Sequence, residues 1–386
     1  MTPRLLSGAR LFTGERMLDD HTLVIEAGEI VDLVPAGGAL PAGTHEPLPT
    51  GSLLVPGFID VQVNGAGGYL FNADPTVDAV TAIARALRPF GTTGVLPTFI
   101  TDDSGRMRTA AEAALAAADD PATGVLGVHL EGPFISKERK GCHDPRFIRV
   151  PGEDDLRLIE DLTARFASRE GRVLLTLAPE CVEDAAIARL AASGVVVAAG
   201  HTAASFERIR AAVPHGIRGF THLSNGMPPI DNRAPGPVIA ALDSHDAWCG
   251  VIADGVHVHP GLLRVMIAAK APGKVFLVTD AMPPVGTDAT EFELLGQTIL
   301  RRNGRLVTKT GVLAGADIDM AASIRNCVHL LGLPVEEALR MASLYPACFL
   351  RLDHRLGRLA PGYRADLTLL DGGLQVRGCW VAGQRA

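Results

Sequence analysis

Acidic and histidine side chains stand just after short apolar runs at several places in the sequence, and their types suit metal-assisted hydrolysis. The residues concerned are Glu131, His201, His222 and Asp280. Two neutral imidazoles and one carboxylate can bind a Zn²⁺-like ion and leave a fourth coordination position for water. Such an ion lowers the pKa of its water, and a nearby carboxylate can take the proton and later pass it to a leaving amine. We therefore expect Glu131, His201 and His222 to bind a metal ion and Asp280 to act as general base and acid.

Each of these residues also has a structural interpretation. A single histidine at the end of a strand can be a hydrogen-bonded core residue, and Asp280 can be a direct metal ligand or an acid that caps the next turn. Three metal-binding residue types at the ends of separate runs, with Asp280 at the end of a fourth, favour the functional interpretation.

The elements that would position these side chains alternate between strands and helices. Eight apolar runs end in polar or ionisable residues, and eight strands are what a closed parallel barrel needs. The runs cover residues 53–61, 94–96, 125–130, 173–177, 195–199, 216–220, 251–253 and 275–278. Stretches with helical spacing of apolar residues lie between them, at residues 76–90, 104–118, 153–169, 183–192, 205–213, 238–244 and 262–269. In such barrels the catalytic groups lie past the C-terminal ends of the strands.

The predicted fold class is α/β, a (β/α)8 TIM-like barrel with a small β-sandwich domain built from both termini. The barrel is expected over residues 55–354, and the composite sandwich over residues 1–54 and 355–386, where short strand-like segments alternate with turns. The alternative is an open doubly wound sheet. That fold usually has a glycine-rich turn that opens a helix after its first strand, and the glycine-rich segment 65–68 does not open a good helix.

Three further elements are predicted near the end of the barrel. Asn303-Gly304 favours a tight turn between two strand-like arms, so we expect a β-hairpin at residues 297–309. Helices at residues 319–331 and 334–349 would then close the barrel.

The composition excludes several classes of function. The 386-residue chain is 47% hydrophobic and has a formal net charge of −7 without a basic cluster, which argues against a nucleic-acid partner. It lacks the ~20 continuous apolar residues of a membrane span and the apolar core of a signal peptide, so we expect no membrane association and a cytoplasmic location. Its six cysteines form no C-x-x-C pair and are expected to be buried free thiols.

Several blocks of the sequence resemble the N-acetylglucosamine-6-phosphate deacetylases, a family of the metal-dependent amidohydrolase superfamily. The blocks that carry the resemblance are Pro56-Gly57-Phe58-Ile59-Asp60, His129-Leu130-Glu131-Gly132-Pro133-Phe134, Lys140-Gly141-Cys142-His143, Gly200-His201-Thr202, Thr221-His222-Leu223-Ser224-Asn225-Gly226-Met227, Ala253-Asp254-Gly255-Val256-His257 and Thr279-Asp280-Ala281. They occur in order over about residues 50–320, and the β-rich ends suit the superfamily's small sandwich. The His-Leu-Glu-Gly-Pro and His-Leu-Ser-Asn-Gly-Met blocks separate this family from other amidohydrolases.

The resemblance implies hydrolysis of the acetamide of N-acetylglucosamine 6-phosphate to glucosamine 6-phosphate and acetate, a reaction of amino-sugar catabolism. It implies one divalent metal ion per chain, bound by Glu131, His201 and His222, with Asp280 as general base. Zn²⁺ is the first expectation, and Fe²⁺, Co²⁺ or Mn²⁺ also suit these ligands.

The resemblance also implies which residues contact the substrate. They are Cys142, His143, Asn225, the Gly226 backbone amide, Arg233, His257 and Leu313. His143 would be catalytic by polarising the acetyl carbonyl, or else a surface histidine. Arg233 suits a phosphate because its planar fork can donate two hydrogen bonds. Phosphate ligands can come from the neighbouring subunit in this family, so a homodimer is implied.

The sequence departs from the superfamily pattern at two places. Many amidohydrolases have His-x-His at the end of the first strand, where this chain has Gln62-Val63-Asn64. We expect Gln62 and Asn64 to hydrogen-bond to groups near the metal rather than to bind a second ion. Asp317 and Asp319 follow the segment around Leu313, where the family more often has small and hydroxyl-bearing residues. These two carboxylates would lie near the acetyl pocket and affect substrate preference.

Two other functions fit parts of the sequence. A related amidohydrolase that acts on a cyclic amide or an N-acyl amino acid would favour a bridging lysine after the fourth strand, and residues 177–180 contain none. A binding protein without catalysis on the same scaffold would be indicated by loss of Asp280 or of a metal ligand, and all of them are present.

Overall fold

The computed structural model describes residues 2–386, in which a series of short strands leads into a region of alternating strands and helices. The N-terminal strands are β1 (Arg4–Ser7), β2 (Arg10–Phe12), β3 (Met17–Leu18), β4 (His21–Glu26), β5 (Glu29–Pro35), β6 (Thr44–Pro47) and β7 (Leu53–Pro56). The alternating region contains β8 (Phe58–Val63), β9 (Gly65–Ala66), β10 (Tyr69–Leu70), α1 (Val77–Leu87), β11 (Thr92–Ile100), α2 (Ser104–Ala117), β12 (Gly127–Glu131), α3 (Glu153–Ala167), β13 (Arg172–Leu177), α4 (Asp184–Ala192), β14 (Val196–Ala199), α5 (Phe206–Ala212), β15 (Ile217–Phe220), α6 (Gly236–Asp243), β16 (Trp248–Val251), α7 (Pro260–Ala269) and β17 (Val275–Leu277). The remaining elements are β18 (Glu291–Leu294), β19 (Gln297–Arg302), β20 (Arg305–Thr308), α8 (Met320–His329), α9 (Val335–Ala342), α10 (Leu344–Leu350), β21 (Leu367–Leu370), β22 (Val376–Val381) and β23 (Gln384–Arg385).

Eight parallel strands, β8 and β11 to β17, form one sheet in chain order. The chain segment after β17 returns to β8 and closes the sheet. Asp280 N donates to Gln62 O at 2.9 Å, and Asn64 N donates to Ala281 O at 2.9 Å. The predicted (β/α)8 barrel is therefore confirmed.

Side chains alternate between the interior of the barrel and the layer beneath the helices. Ile59, Val61 and Leu174 pack inside the barrel, whereas Val128 and Leu130 pack in the larger cluster that also contains the buried helix residues. Because neighbouring residues of a strand point to opposite faces, His129 and Glu131 on β12 both point inward. The inward side chains nearest the C-terminal edge are therefore the ones that can form a site.

The predicted strand run at residues 53–61 is wrong in its extent, because it forms two strands in two different sheets. β7 pairs with β2 and β21, whereas β8 belongs to the barrel. The break falls at Gly57, where a Cβ atom would lie 2.1 Å from Thr93 Oγ1. Only a glycine allows the chain to pass so close to β11. The predicted run at residues 94–96 is too short, since β11 continues through Pro97 to Ile100.

The helix predicted at residues 334–349 is also wrong in its extent, since it is divided into α9 and α10. Ser343, between them, has φ −133° and ψ −73°, outside the helical region. Pro346 lies three residues further on and has no N–H to donate to the preceding turn. The chain therefore changes direction at Ser343.

Two smaller sheets pack together beside the barrel. One has the strand order β5-β4-β1-β6, and the other has the order β23-β22-β21-β7-β2-β3, so the second contains strands from both ends of the chain. Leu6, Leu23, Leu367 and Trp380 are buried in the core between them. We keep the boundaries 1–54 and 355–386 for this small domain as a proposal; Met1 lies outside the described residues.

The predicted hairpin is present as β19 and β20, and β18 adds a third strand. Asn303 and Gly304 have φ values of 52° and 70°, as a tight hairpin turn of this type requires. Among residues 2–386, none of the helices combines the length and the apolar character needed to cross a membrane.

Candidate active site

Three side chains converge on one point at the C-terminal edge of the barrel. Glu131 is the last residue of β12, and His201 and His222 follow β14 and β15. Oε1 of Glu131 lies 3.0 Å from Nε2 of His222 and 3.3 Å from Nε2 of His201, and the two Nε2 atoms are 3.1 Å apart. All three side chains are buried. The structure thus brings together the three residues that the sequence predicts as metal ligands.

His143 lies next to this group on the loop after β12. Its ring centroid is 4.4 Å from that of His201, and its Nδ1 lies 2.7 Å from Thr101 Oγ1. Ligand atoms of Glu131, His143 and His201 all lie within 4.8 Å of one another, so His143 is also within reach of a shared ion. The distances of 3.0 Å and 3.1 Å from Nε2 of His222 to Glu131 and His201 favour His222 as the third ligand. Burial holds the pKa of His143 well below its usual value, so the ring is neutral.

The chemistry of these donors fits a divalent ion. Nδ1 of His201 donates to the Arg139 carbonyl at 2.8 Å, which leaves the Nε2 lone pair directed at Glu131 and His222. Burial alone would raise the pKa of Glu131, but the adjacent His201 and His222 side chains hold it well below its usual value. The group therefore offers an ionised carboxylate and imidazole nitrogens that face one another across 3.1 Å, a distance that calls for a proton or a cation between them.

Asp280 lies near Glu131; one amide side chain bonds to both carboxylates, and a second bonds to Asp280 alone. Gln62 Nε2 donates to Glu131 Oε1 at 3.2 Å and to Asp280 Oδ1 at 3.3 Å, and Asn64 Nδ2 donates to Asp280 Oδ1 at 2.6 Å. Gln62 and Asn64 thus lie near the predicted metal ligands and bond to carboxylates there. Burial and the charge of Glu131 raise the pKa of Asp280 to about 6.

The backbone at three predicted site residues has positive φ. The values are 45° at His201, 28° at His222 and 54° at Asp280. Residues other than glycine rarely adopt this region, and such conformations cluster at functional sites. Each of these residues follows the end of a barrel strand, so the left-handed conformation turns its side chain toward the centre of the site.

Two of the predicted substrate-binding residues contact the histidines of the site. Gly226 has a φ of 59°, and a Cβ atom there would lie 2.8 Å from Nδ1 of His201, so its backbone passes directly over the imidazole ring. Asn225 Nδ2 donates to the carbonyl of His222 at 3.0 Å. The loop after β15 is thereby fixed against both histidines.

The other predicted substrate-binding residues lie further apart. Nδ1 of His257 lies 2.6 Å from Oδ2 of Asp254, a carboxylate that also accepts two backbone N–H bonds. Cys142 and Leu313 are half-buried, and Cys142 lines a cavity of about 300 Å³ together with His143. Arg233 is exposed, and its guanidinium makes no ion pair within residues 2–386. Within these residues of a single chain, Arg233 therefore has no acidic partner.

Asp317 and Asp319 do not leave free carboxylates in the pocket. Asp317 Oδ2 accepts from Nε of Arg301 at 2.7 Å, which connects the β18–β20 sheet to the barrel. Asp319 accepts from Ala322 N at 2.8 Å as the N-cap of α8. Both residues have structural partners.

Two further groups contact the site histidines without having been predicted from the sequence: Thr101 contacts His143, and the Arg139 carbonyl contacts His201. Thr101 directly follows β11, the position at which site residues are expected. The predicted run at residues 94–96 ends too early to place it there. A backbone carbonyl has no pattern in the sequence that could reveal it.

The comparisons with known proteins agree with this geometry. The family model described as "Amidohydrolase family" matches residues 53–385. An N-acetylgalactosamine-6-phosphate deacetylase from Shewanella sp. (strain ANA-3) is 42% identical over 337 residues, 87% of this chain and 83% of the relative. An N-acetylglucosamine-6-phosphate deacetylase from Haemophilus influenzae is 34% identical over 381 residues, 97% of each chain. The crystal structure of N-acetylglucosamine-6-phosphate deacetylase from Pasteurella multocida superimposes with a TM-score of 0.94 at 33% identity, covering 100% of this chain and 99% of that one.

Proposed function

This chain belongs to the amidohydrolase family, and we propose on that basis that it is a metal-dependent hydrolase that deacetylates N-acetylglucosamine 6-phosphate to glucosamine 6-phosphate and acetate. The observation that carries the proposal is the convergence of Glu131, His201 and His222 beside Asp280. The names of the similar proteins support the substrate class.

We assign the metal ligands to Glu131, His201 and His222, and Zn²⁺ is the ion that this set of donors suits first. When bound there, a divalent ion lowers the pKa of a water molecule and polarises the acetyl carbonyl. Asp280 accepts the proton from the attacking water and later donates it to the amine as the C–N bond breaks. Its Oδ1 is occupied by Gln62 and Asn64, so Oδ2 is the atom that carries this proton.

His143 is proposed to support the same step at the acetyl oxygen. Nδ1 of His143 faces the Thr101 hydroxyl at 2.7 Å; with that hydroxyl as the donor, the neutral ring carries its hydrogen on Nε2. That N–H can donate to the acetyl oxygen as negative charge develops on it. Cys142 and Leu313 would then contact the acetyl group.

The phosphate of the substrate would be held by His257, Asn225, the backbone amide of Gly226, and Arg233. Because Arg233 is exposed and without an ion pair in the single chain, we assign it to the active site of a neighbouring subunit in a homodimer. The six free cysteines support a reducing compartment, for which we propose the cytoplasm.

The direct test is release of acetate from N-acetylglucosamine 6-phosphate by the metal-loaded protein. We expect a much higher kcat/KM for this substrate than for unphosphorylated N-acetylglucosamine, because the phosphate contacts are lost in the second case. Equal kcat/KM values for the two would contradict the phosphate assignment. Absence of acetate release from both would contradict the proposed reaction.

A second substrate, N-acetylgalactosamine 6-phosphate, is favoured by one observation. The relative with 42% identity is named for that epimer, which differs from N-acetylglucosamine 6-phosphate only at the C4 hydroxyl. The same assay with both phosphorylated epimers, at equal concentration and metal loading, measures the preference as a ratio of kcat/KM values.

A further inference from the structure

A chain of buried side-chain hydrogen bonds runs across the barrel directly beneath the candidate metal site. Thr98 Oγ1 lies 3.1 Å from Nδ1 of His129, Nε2 of His129 lies 2.7 Å from Thr176 Oγ1, and Thr176 Oγ1 lies 2.6 Å from Thr221 Oγ1. At its first end, Thr98 also accepts the backbone N–H of Val63 at 2.9 Å. These four side chains are buried, although most of the barrel interior around them is apolar.

This chain of hydrogen bonds connects strands that carry the proposed metal ligands. His129 is two residues before Glu131 on β12, so both side chains point into the barrel, one above the other. Thr221 immediately precedes His222, and Thr176 comes from β13 between them. The hydrogen bonds therefore join the strand of one proposed ligand to the residue before another.

Gly200 leaves room for this connection to pass β14. A Cβ atom at Gly200 would lie 2.7 Å from Cγ2 of Thr176 and 2.9 Å from Cβ of Thr221. Any side chain at this position would push the two threonines apart and break their hydroxyl contact. Gly200 has no positive φ value, so the glycine is needed here for space.

An imidazole is well suited to the centre of such a chain. A neutral ring donates at one nitrogen and accepts at the other, so His129 can bond to Thr98 and Thr176 at once. Each threonine hydroxyl has only one hydrogen, so all hydrogen bonds in this series must be donated in the same direction. A buried network with every member bonded has one preferred arrangement and holds its strands rigidly.

We propose that His129, through Thr176 and Thr221, is a positioning residue that holds Glu131 and His222 at the spacing needed to bind the metal ion. This inference rests on the proposed function only in taking Glu131, His201 and His222 as metal ligands. It gives His129 no contact with substrate and no part in proton transfer.

The test replaces Thr176 with valine, which keeps the shape of the side chain but removes the hydroxyl group. Thr368→Val is the matched control, because Thr368 is a buried threonine whose hydroxyl donates to Gly91 O at 2.7 Å in the small domain. Zn²⁺ affinity is measured by competition with a chelator of known affinity, and thermal unfolding of the metal-free proteins is recorded in parallel.

We expect Thr176→Val to weaken Zn²⁺ binding about 10-fold or more, as removal of groups that orient metal ligands typically does. Thr368→Val should leave Zn²⁺ affinity unchanged while lowering the unfolding temperature to a similar extent. Thr176→Ser, which restores the hydroxyl, should recover most of the affinity. Thr98→Val breaks the chain on the other side of His129 and should also weaken binding, which keeps the test decisive if Thr176→Val does not fold.

Equal Zn²⁺ affinities for Thr176→Val and Thr368→Val would overturn the positioning role while leaving the proposed reaction intact. Failure of the wild-type protein to bind Zn²⁺ would instead overturn the metal assignment in the proposed function, and this inference with it.

Discussion

Asp280 is held in the site through only one of its carboxylate oxygens. Gln62 and Asn64 both donate to Oδ1, at 3.3 and 2.6 Å, and Oδ2 accepts no hydrogen bond within residues 2–386. The two amides fix the direction of the carboxyl group without occupying the second oxygen. Because burial also raises its pKa to about 6, Asp280 is a stronger base than an exposed aspartate.

Replacing Asp280 with asparagine tests this role. The variant keeps the size of the side chain and an oxygen for the two amide donors, but it cannot accept a proton. We expect kcat to fall at least ~10²-fold with little change in substrate binding. Steady-state kinetics on the phosphorylated substrate measures both quantities, with Asp161→Asn on the exposed face of α3 as control. Near-normal turnover in Asp280→Asn would remove Asp280 from the mechanism.

The pH dependence of the reaction should show the same residue. A base with a pKa of about 6 is protonated at lower pH, so kcat/KM should decrease as the pH falls through about 6. A bound cation favours the ionised carboxylate and would move this decrease to lower pH without changing its direction. The residual activity of Asp280→Asn, followed over the same pH range, should not show this decrease. If the variant has the same pH profile as the wild type, the decrease belongs to another group.

The number of metal ions follows from the same amide side chains. Gln62 and Asn64 use their N–H groups on Glu131 and Asp280, and neutral amides are weak ligands for a transition metal. We expect exhaustively dialysed protein to retain about one equivalent of metal by elemental analysis. Removal of that ion with a chelator should abolish activity. Two retained equivalents, both needed for turnover, would contradict a single-ion site.

At the scale of elements, the barrel closes where the segment after β17 meets β8. Asp60 on β8 and Thr279 bond across this seam: Oδ1 of Asp60 accepts Thr279 N at 3.3 Å and Gln62 N at 3.2 Å, and Oδ2 accepts the Thr279 hydroxyl. Burial raises the pKa of Asp60 to about 7. The seam therefore contains an acid that is partly protonated at neutral pH, and its hydrogen-bond partner Thr279 is one residue before Asp280.

Asp60→Asn should change how stability depends on pH. Asp60 ionises near 3.8 when exposed and near 7 in the fold, so between these values the folded state holds the additional proton. The contribution of Asp60 to the free energy of unfolding is therefore largest below about pH 4 and decreases as the pH rises to about 7, by at most ~1.4 kcal/mol per pH unit. Above about pH 7 it no longer changes. Asparagine resembles the neutral acid and should remove this slope. Unfolding temperatures from pH 5 to 8, compared with Asp161→Asn, measure it; parallel curves for wild type and Asp60→Asn would contradict the prediction.

The sequence predicts most elements because apolar runs and helical periodicity arise from burial on one or two faces. The number and order of the eight barrel strands and the Asn303-Gly304 hairpin follow from such patterns, although β16 begins three residues before the predicted run at residues 251–253. The division of residues 53–61 between two sheets does not, because it depends on how closely Gly57 approaches Thr93. The same holds for the site: the residue types of Glu131, His201 and His222 predict ligands, whereas hydrogen bonds between distant strands, such as Asp60 to Thr279, depend on the folded structure.

At the scale of the whole molecule, Arg233 is exposed and makes no ion pair within residues 2–386, so its proposed phosphate contact lies in a neighbouring subunit. Arg233→Ala should lower kcat/KM for the phosphorylated substrate. The loss should correspond to ~1.5 to 3 kcal/mol of binding free energy, the value of a charge-assisted hydrogen bond. The unphosphorylated sugar should be affected far less. Equal losses on both substrates would show that Arg233 is structural.

Mixing two impaired variants tests whether Arg233 serves the neighbouring subunit. In a heterodimer of Arg233→Ala and Asp280→Asn, one active site keeps its own Asp280 and receives Arg233 from its partner. Unfolding and refolding the two variants together should therefore restore activity, while mixing two samples of the same variant should not. No recovery, despite dimers detected by light scattering, would place Arg233 in the site of its own chain.

The six-stranded sheet that joins the two ends of the chain has a consequence for biosynthesis. β7 pairs with β21, which is translated more than three hundred residues later, whereas each barrel strand pairs with the strand that follows it. Barrel strands can therefore find their partners progressively as the polypeptide emerges from the ribosome. The edge of β7 that pairs with β21 keeps its N–H and C=O groups unpaired until translation is nearly complete, and during that interval it is open to pairing with other chains.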